Sequence, residues 1–204
     1  MIYLIGGSPR GGKSILAKKL SRILNVPYIS TDDLRCVVLP YFKGNDRGKN
    51  FPFIKMFDSV GIDKFFKSYT GKEILNADLK ESKSIWPGIE SLIDHLLSCK
   101  MDCIIEGIHL LPNLIKKYKK NKNVKFAFVN KLDIKKIYQG LLKNNNDWLV
   151  SNTKNKGTLS LAAKSLNVYG KFFLRETDKY GFKCFNTEDN FQEIIQNAFE
   201  YLQK

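Results

Sequence analysis

Short apolar runs alternate along the chain with longer segments whose apolar residues recur at helical spacing. The runs that predict strands lie at residues 2–5, 26–29, 103–105, 124–129 and 182–185. Each is short and almost wholly apolar, which is typical of a parallel strand buried on both faces. Strands that alternate with helices predict a parallel five-stranded sheet with helices on both sides. The length of 204 residues favours a single domain over residues 1–204.

The segments between these runs predict helices that wall the sheet. We expect helices over residues 14–24, 31–38, 133–143 and 158–180, with Thr31 and Thr187 as caps. Residues 41–50 have the composition of a loop, and several helices follow over residues 51–98. The clearest of these has Pro87 near its first turn. Helices 51–98 are expected to wall a second ligand pocket.

The first strand runs into the string GSPRGGKS at residues 7–14, which matches the phosphate-loop (Walker A) pattern GxxxxGK[ST]. Glycines let successive backbone N–H groups curl around a phosphate, and the following helix adds its positive end. In such a loop the lysine reaches the β- and γ-phosphates, and the hydroxyl binds magnesium. The residues expected to bind nucleotide are Gly7, Ser8, Pro9, Arg10, Gly11, Gly12, Lys13, Ser14 and Ile15. Arg10 has two open readings: it contacts a phosphate, or it faces solvent.

Carboxylates follow two further strands at the same edge of the predicted sheet. Asp32 and Asp33 follow the second strand, with Arg35 one helical turn later, and Glu106 ends the third. A carboxylate there could accept the proton of a substrate hydroxyl or ligate magnesium, and an arginine could hold a substrate anion. The alternative for the aspartates is helix capping, because the helix dipole favours acids in a first turn.

Two strings, PYISTDDLR at 27–35 and EGIHLLP at 106–112, resemble the 2-phosphoglycerate kinase family, as does the PGIE segment at 87–90. Related P-loop kinases include zeta toxins, chloramphenicol phosphotransferase and the polynucleotide kinase phosphoryl-transfer domain. The resemblance implies a P-loop NTPase three-layer α/β sandwich of nucleoside-monophosphate-kinase type that uses ATP and Mg²⁺. It implies that Asp32 is the general base, that Arg35 positions the acceptor, and that Ser14, Asp32 and Glu106 serve the metal. His109 is expected to pack or to form hydrogen bonds, with substrate contact as the alternative.

Such kinases close a mobile lid whose arginines neutralise the transferred phosphoryl group. The expected lid, residues 143–157, contains lysines and no arginine. Arg175 on the following helix is therefore the candidate for that catalytic role, with a surface ion pair as the alternative. Asn186 resembles the adenine-side loop of such kinases, and a helix cap is its alternative.

Two other functions compete with a small-molecule kinase. DSVG at 58–61 fits DxxG and NKLD at 130–133 fits the guanine-reading NKxD, which would suit a GTP-binding switch. Both patterns are short, and NKxD arises readily by chance in a chain rich in Asn and Lys. The net charge of +14 leaves a nucleotide or polynucleotide kinase open. Because nearly all the basic residues are lysine, a nucleic-acid partner is not favoured.

The remaining composition narrows the class of protein. Four cysteines without a CxxC pair and only two histidines argue against a zinc site. No stretch has the length of a membrane span, and the N-terminal apolar run is shorter than a signal peptide, so we expect a cytoplasmic protein without a membrane partner.

The sequence predicts transfer of the ATP γ-phosphate to a small metabolite, and the resemblance suggests an acidic or phosphorylated one such as 2-phosphoglycerate. It does not indicate an oligomeric state.

Overall fold

The computed structural model describes residues 1–143 and 148–204. These residues form a five-stranded parallel sheet in the order β2-β3-β1-β4-β5. The strands are β1 (Ile2–Gly7), β2 (Tyr28–Ser30), β3 (Cys103–Glu106), β4 (Val124–Asn130) and β5 (Cys184–Asn186). The register aligns the carboxyl ends of neighbouring strands, with Ser30 opposite Glu106 and Asn130 opposite Asn186. The predicted α/β class and parallel sheet are confirmed.

Helices cover both faces of this sheet. They are α1 (Lys13–Leu24), α2 (Thr31–Val38), α3 (Gly44–Asn50), α4 (Pro52–Val60), α5 (Ile62–Ser68), α6 (Gly71–Ser98), α7 (Pro112–Ile115), α8 (Ile134–Lys143), α9 (Trp148–Asn152), α10 (Lys156–Tyr180) and α11 (Phe191–Gln203). Successive residues of β1 point into opposite cores, Ile2 and Leu4 toward α6 and α10, Tyr3 and Ile5 toward α1 and α11. Since both faces are buried, β1 is apolar throughout, as the sequence predicts.

Strand β2 begins two residues later than predicted. Val26 donates its N–H to Ser21 O in the turn that ends α1, and Pro27 has no N–H to donate. Pairing with β3 starts only where Pro27 O accepts from Ile104 N. The run at 26–29 is therefore partly a helix terminus, which apolarity alone does not reveal.

Helix α6 differs most from the prediction. Pro87 lies inside this 28-residue helix rather than near its first turn. The helix begins at a capping box in which Thr70 and Glu73 bond reciprocally. Pro87 is on the exposed face, while Ile85 and Trp86 beside it are buried. Water can satisfy the carbonyl that a proline leaves unbonded on an exposed face, and burial of the opposite face holds the helix together.

Three local predictions are wrong. Residues 44–50, predicted as loop, form α3. Thr31 does not cap α2; the cap is Ser30, whose Oγ accepts from Asp32 N. Thr187 does not cap the last helix, which begins after Asn190. Both threonines are buried and bond to other parts of the chain, because a threonine hydroxyl serves any nearby acceptor as readily as its own helix.

The predicted lid, residues 143–157, falls partly on helices. It begins at the last residue of α8, contains α9, and ends within the first turn of α10. Residues 144–147 of that prediction lie outside the described residues. Over the described part of the chain, no helix is both long and apolar enough to cross a membrane.

Candidate active site

The phosphate loop joins β1 to α1 in a conformation that requires glycine. Gly7 has φ 128° and Gly12 has φ 105°, values that side chains rarely adopt. A Cβ on Gly7 would lie 1.9 Å from Val129 O, and one on Gly11 would lie 2.6 Å from the same atom. The glycines therefore let the loop lie directly against the end of β4.

Two hydroxyls outside the motif's fixed positions hold the loop in place. Ser8 Oγ accepts from Lys131 N at 3.2 Å, and Thr187 Oγ1 donates to Gly11 O at 2.9 Å. Both residues are fully buried. The loop is thus bonded to the ends of β4 and β5 and is preorganised.

Lys13 curls back over this loop. Its side chain is buried, and Nζ donates to Ser8 O at 2.8 Å. Burial lowers the pKa of Lys13, while the charges of Glu106, Asp32 and Asp78 oppose that shift. The ammonium therefore lies against the phosphate loop, within reach of the charges of three carboxylates.

Ser14 and Glu106 meet beside Lys13, as the sequence predicts. Ser14 Oγ donates to Glu106 Oε1 at 2.9 Å, and burial raises the pKa of Glu106 while Lys13 opposes the rise. Among residues 1–143 and 148–204, no group of three His, Cys, Asp or Glu side chains could hold a metal alone. One hydroxyl and one carboxylate fit Mg²⁺, which keeps several waters and binds through few protein groups plus phosphates.

Helix α2 brings Asp32 and Arg35 to the same edge. Asp32 is about half exposed, at 55%, and its Oδ1 lies 3.6 Å from Arg35 Nη2. Arg35 Nη1 lies 3.7 Å from Glu81 Oε2, on α6. Arg35 therefore bridges an exposed carboxylate beside the phosphate loop and a buried one on the neighbouring helix.

The EGIHLLP string forms the turn after β3 and packs on the start of α2. Gly107 has φ 153°, and a Cβ there would lie 1.7 Å from Thr31 Oγ1. That close approach lets Thr31 Oγ1 hydrogen-bond His109 Nδ1 at 2.8 Å. His109 is fully buried, and burial lowers its pKa to about 4, so the imidazole is neutral near pH 7.

Sequence reasoning missed three residues next to this turn. Asp78 and Glu81 lie on the buried face of α6, and Tyr169 of α10 donates its hydroxyl to Asp78 Oδ2 at 2.8 Å. Burial raises the pKa of Asp78 to about 6 and that of Glu81 to about 7. Their signal in the sequence is a pair of acids, three residues apart, within an apolar helical stripe.

The structure does not bring Arg175 to the phosphate loop. Its side chain is 71% exposed, with Nε 3.2 Å from Glu176 Oε1 and the guanidinium over the Phe172 ring. These contacts match the alternative of a surface ion pair, because the C-terminal half of α10 runs away from the site's edge of the sheet toward β5.

Arg10 and Asn186 flank the site. Arg10 Nη2 donates to Gly140 O of α8 at 2.8 Å, and its contact with a phosphate stays a prediction. Asn186 ends β5, is exposed, and bonds Glu188 through Nδ2 at 3.0 Å. Both lie at the carboxyl edge of the sheet, within the region expected to hold a nucleotide.

Two side chains of the NKxD string form internal hydrogen bonds. Asn130 is buried and its Nδ2 donates to Gly170 O at 2.9 Å, which ties β4 to α10. Asp133 Oδ1 accepts from Lys136 N in the first turn of α8. In the DxxG string, Asp58 lies within α4 and pairs with Arg47 at 3.5 Å. These side chains form structural contacts in place of the guanine and switch contacts of a GTP-binding protein.

Comparison with known proteins places this geometry in a known class of fold. No family model matches the chain. The chain is 28% identical over 131 residues, 63% of its length, to a 2-phosphoglycerate kinase of Methanocaldococcus jannaschii. The match covers 41% of that protein, so the chain corresponds to less than half of its relative.

Solved structures agree on the fold over the whole chain. A shikimate kinase of Bacteroides thetaiotaomicron has a TM-score of 0.53 at 16% identity, covering 100% of this chain and 99% of that one. A gluconokinase of Sinorhizobium meliloti has 0.51 at 13%, covering 98% and 90%. A deoxyadenosine kinase of M. mycoides with bound dATP has 0.52 at 12%, covering 100% of both. At these identities the likeness shows the fold, which is the P-loop kinase fold of nucleoside-monophosphate-kinase type.

Proposed function

We propose that this protein is an ATP-dependent phosphotransferase that moves the γ-phosphate onto a hydroxyl of a small acceptor. The observation that carries the proposal is the convergence of Lys13, Ser14, Glu106 and Asp32 at one edge of the sheet. A preformed phosphate loop alone indicates nucleotide binding, and an exposed carboxylate opposite it adds the means to activate an acceptor. The kinases among the similar proteins support this reading.

In the proposed mechanism, the loop amides and Lys13 hold the triphosphate. Ser14 and Glu106 would hold Mg²⁺, which neutralises phosphate charge when bound. Asp32 accepts the acceptor's hydroxyl proton as the oxygen bonds to the γ-phosphorus, while the bond from that phosphorus to the ADP oxygen breaks. Asp32 suits this role because its carboxylate is half exposed beside the phosphate loop and is oriented by Arg35.

The site supports this function better than a GTP-binding switch. A switch leaves Asp32 and Arg35 without a part in nucleotide binding, and Asn130 Nδ2 already donates to the backbone. A clear preference for GTP, with slow hydrolysis and no acceptor, would favour the switch. Salt-dependent transfer to oligonucleotides would favour a polynucleotide kinase.

The direct test is transfer of labelled phosphate from ATP with Mg²⁺ to a panel of hydroxyl compounds, with 2-phosphoglycerate included because the curated relative carries that name. We expect labelled product with at least one acceptor. Absence of both nucleoside triphosphate binding and transfer would overturn the proposal.

A further inference from the structure

Three buried polar atoms next to the proposed transfer site have no hydrogen-bond partner among the described residues. They are Asp78 Oδ1, His109 Nε2 and Glu81 Oε2, the last of which lies 3.7 Å from Arg35 Nη1, an ion-pair distance that is too long for a hydrogen bond. Burying a polar atom without a hydrogen-bond partner is energetically unfavourable, so folded proteins seldom keep several such atoms together without a reason. One ligand that bonds to all three would remove the penalty.

Each of these side chains is fixed through its other polar atom. Tyr169 donates to Asp78 Oδ2 at 2.8 Å, Ile54 N donates to Glu81 Oε1 at 2.8 Å, and Thr31 bonds His109 Nδ1 at 2.8 Å. The three atoms without a hydrogen-bond partner, the orphan atoms, are therefore held in place before any ligand binds. Preorganisation of this kind is expected of a binding site.

The cluster borders the transfer site. The charges of Lys13, Asp32 and Arg35 act on the pKa of both Asp78 and His109. Arg35 also lies between Asp32 and Glu81, within ion-pair distance of each. An acceptor whose reacting hydroxyl lies at Asp32 would present its remaining groups to Asp78, Glu81 and His109.

The distance between two orphan atoms fits a bridging hydroxyl. Asp78 Oδ1 and His109 Nε2 are 4.0 Å apart, too far for a direct hydrogen bond. In the tautomer that carries its proton on Nε2, His109 accepts from Thr31 Oγ1 at Nδ1 and can donate from Nε2. A hydroxyl between the two atoms could then accept from His109 and donate to Asp78.

The charge of the cluster argues against an acidic acceptor. Asp32, Asp78 and Glu81 share one arginine, Arg35, which lies close to Asp32 and Glu81. The pKa of about 7 leaves Glu81 partly ionised near pH 7, so the cluster still carries net negative charge. Lys13 is committed to the phosphate loop, and His109 is neutral near pH 7. A phosphorylated acid would add negative charge here, whereas carboxylates readily accept hydrogen bonds from hydroxyls.

We propose that Asp78, Glu81 and His109 form an acceptor subsite for a small neutral polyol, whose hydroxyls bond to their three orphan atoms. The inference rests on the proposed function and deepens it by naming the acceptor class. All three atoms are covered in this structure, so the packing around them must open for the acceptor to enter.

The test compares neutral polyols with phosphorylated acids, 2-phosphoglycerate among them, in labelled-ATP transfer by the whole chain. We expect neutral polyols to be phosphorylated with the higher kcat/KM. Asp78→Asn and Glu81→Gln should each raise the acceptor KM about tenfold or more and leave MgATP affinity unchanged. Asp94→Asn and Glu90→Gln, matched changes elsewhere on α6, should alter neither.

Affinity for MgATP separates the two proposals and also reports folding of each variant. If the protein binds MgATP but prefers phosphorylated acids, or if the α6 variants leave the acceptor KM unchanged, the subsite is wrong and the kinase proposal stands. If the protein binds MgATP but phosphorylates no neutral polyol, the subsite is likewise wrong. Failure to bind MgATP would contradict the proposed function itself.

Discussion

The two halves of the site differ in how completely their polar groups are bonded. In the nucleotide half, Lys13, Ser14, Ser8 and Thr187 each bond to a defined protein partner. In the acceptor half, the carboxylates and the imidazole keep one orphan atom each. In the proposed function, the nucleotide half would bind phosphate through backbone amides and one lysine, which any nucleotide can share, whereas the acceptor half would recognise its ligand through side-chain atoms that have no hydrogen-bond partner.

Loss of the phosphate lysine should have the largest effect on activity. Lys13→Ala removes the buried ammonium from the mouth of the loop, and we expect phosphate transfer to fall by about 10³-fold or more. Lys18→Ala, an exposed lysine on the same helix, is the control and should leave the rate nearly unchanged. Equal rates in both variants would show that the loop does not serve transfer.

Loss of the proposed base should separate binding from chemistry. For Asp32→Asn we expect transfer to fall at least about 100-fold while MgATP affinity stays within about twofold, because the loop is untouched. Asp33→Asn changes the neighbouring exposed carboxylate and should transfer normally. Single-turnover rates and nucleotide titration measure the two quantities, and unchanged transfer would remove Asp32 from the mechanism.

Gly107 joins the two halves, since Glu106 precedes it and His109 follows within the same turn. Gly107→Ala forces a Cβ against Thr31 Oγ1 and strains a positive φ, so we expect a loss of about 3 kcal/mol in the free energy of unfolding. Gly88→Ala, in an exposed turn of α6 with open space around it, should be neutral or slightly stabilising. Denaturant unfolding measures both, and similar values for the two variants would contradict the packing described.

The smallest expected effect is a dependence of stability on pH in the acceptor half. Burial raises the pKa of Glu81 from 4.5 to about 7, with the amide N–H of Ile54 and the charge of Arg35 lowering it and Asp78 raising it. Because the folded-state pKa of Glu81 is raised, its protonated carboxyl contributes to the stability of the fold. That contribution is complete below about pH 4.5 and is lost as pH rises through about 7.

Glu81→Gln removes that ionisation. Its Tm relative to wild type should therefore rise by a few degrees between about pH 5 and pH 8. Glu90→Gln is the surface control on the same helix. A Tm difference for Glu81→Gln that falls with increasing pH would mean that the carboxylate is stabilised in its charged form.

Sequence alone specified the nucleotide half well because its signals are local. The phosphate loop, the preceding strand and the following helix are contiguous, and Glu106 ends a strand that apolarity alone indicates. Pro27 moves the start of β2 two residues later than apolarity predicts. Pro87 does not begin or end a helix, because a proline on an exposed face is tolerated where the other face of α6 is buried.

The acceptor half could not be predicted in the same way. The contact between Asp78 and Tyr169 joins residues 91 apart in sequence, and it exists only because α6 packs on α10. Arg175 shows the converse. It is an arginine on the helix that follows the predicted lid, yet its side chain points to solvent. The rotational phase and the packing of α10 decide which way that side chain points.

The most direct test of the central claim is titration of MgATP into the wild-type protein and Lys13→Ala by calorimetry. We expect saturable binding to the wild type that requires the divalent cation and is strongly weakened in the variant. Absence of heat from wild type with any nucleoside triphosphate, or equal affinity in both proteins, would contradict it.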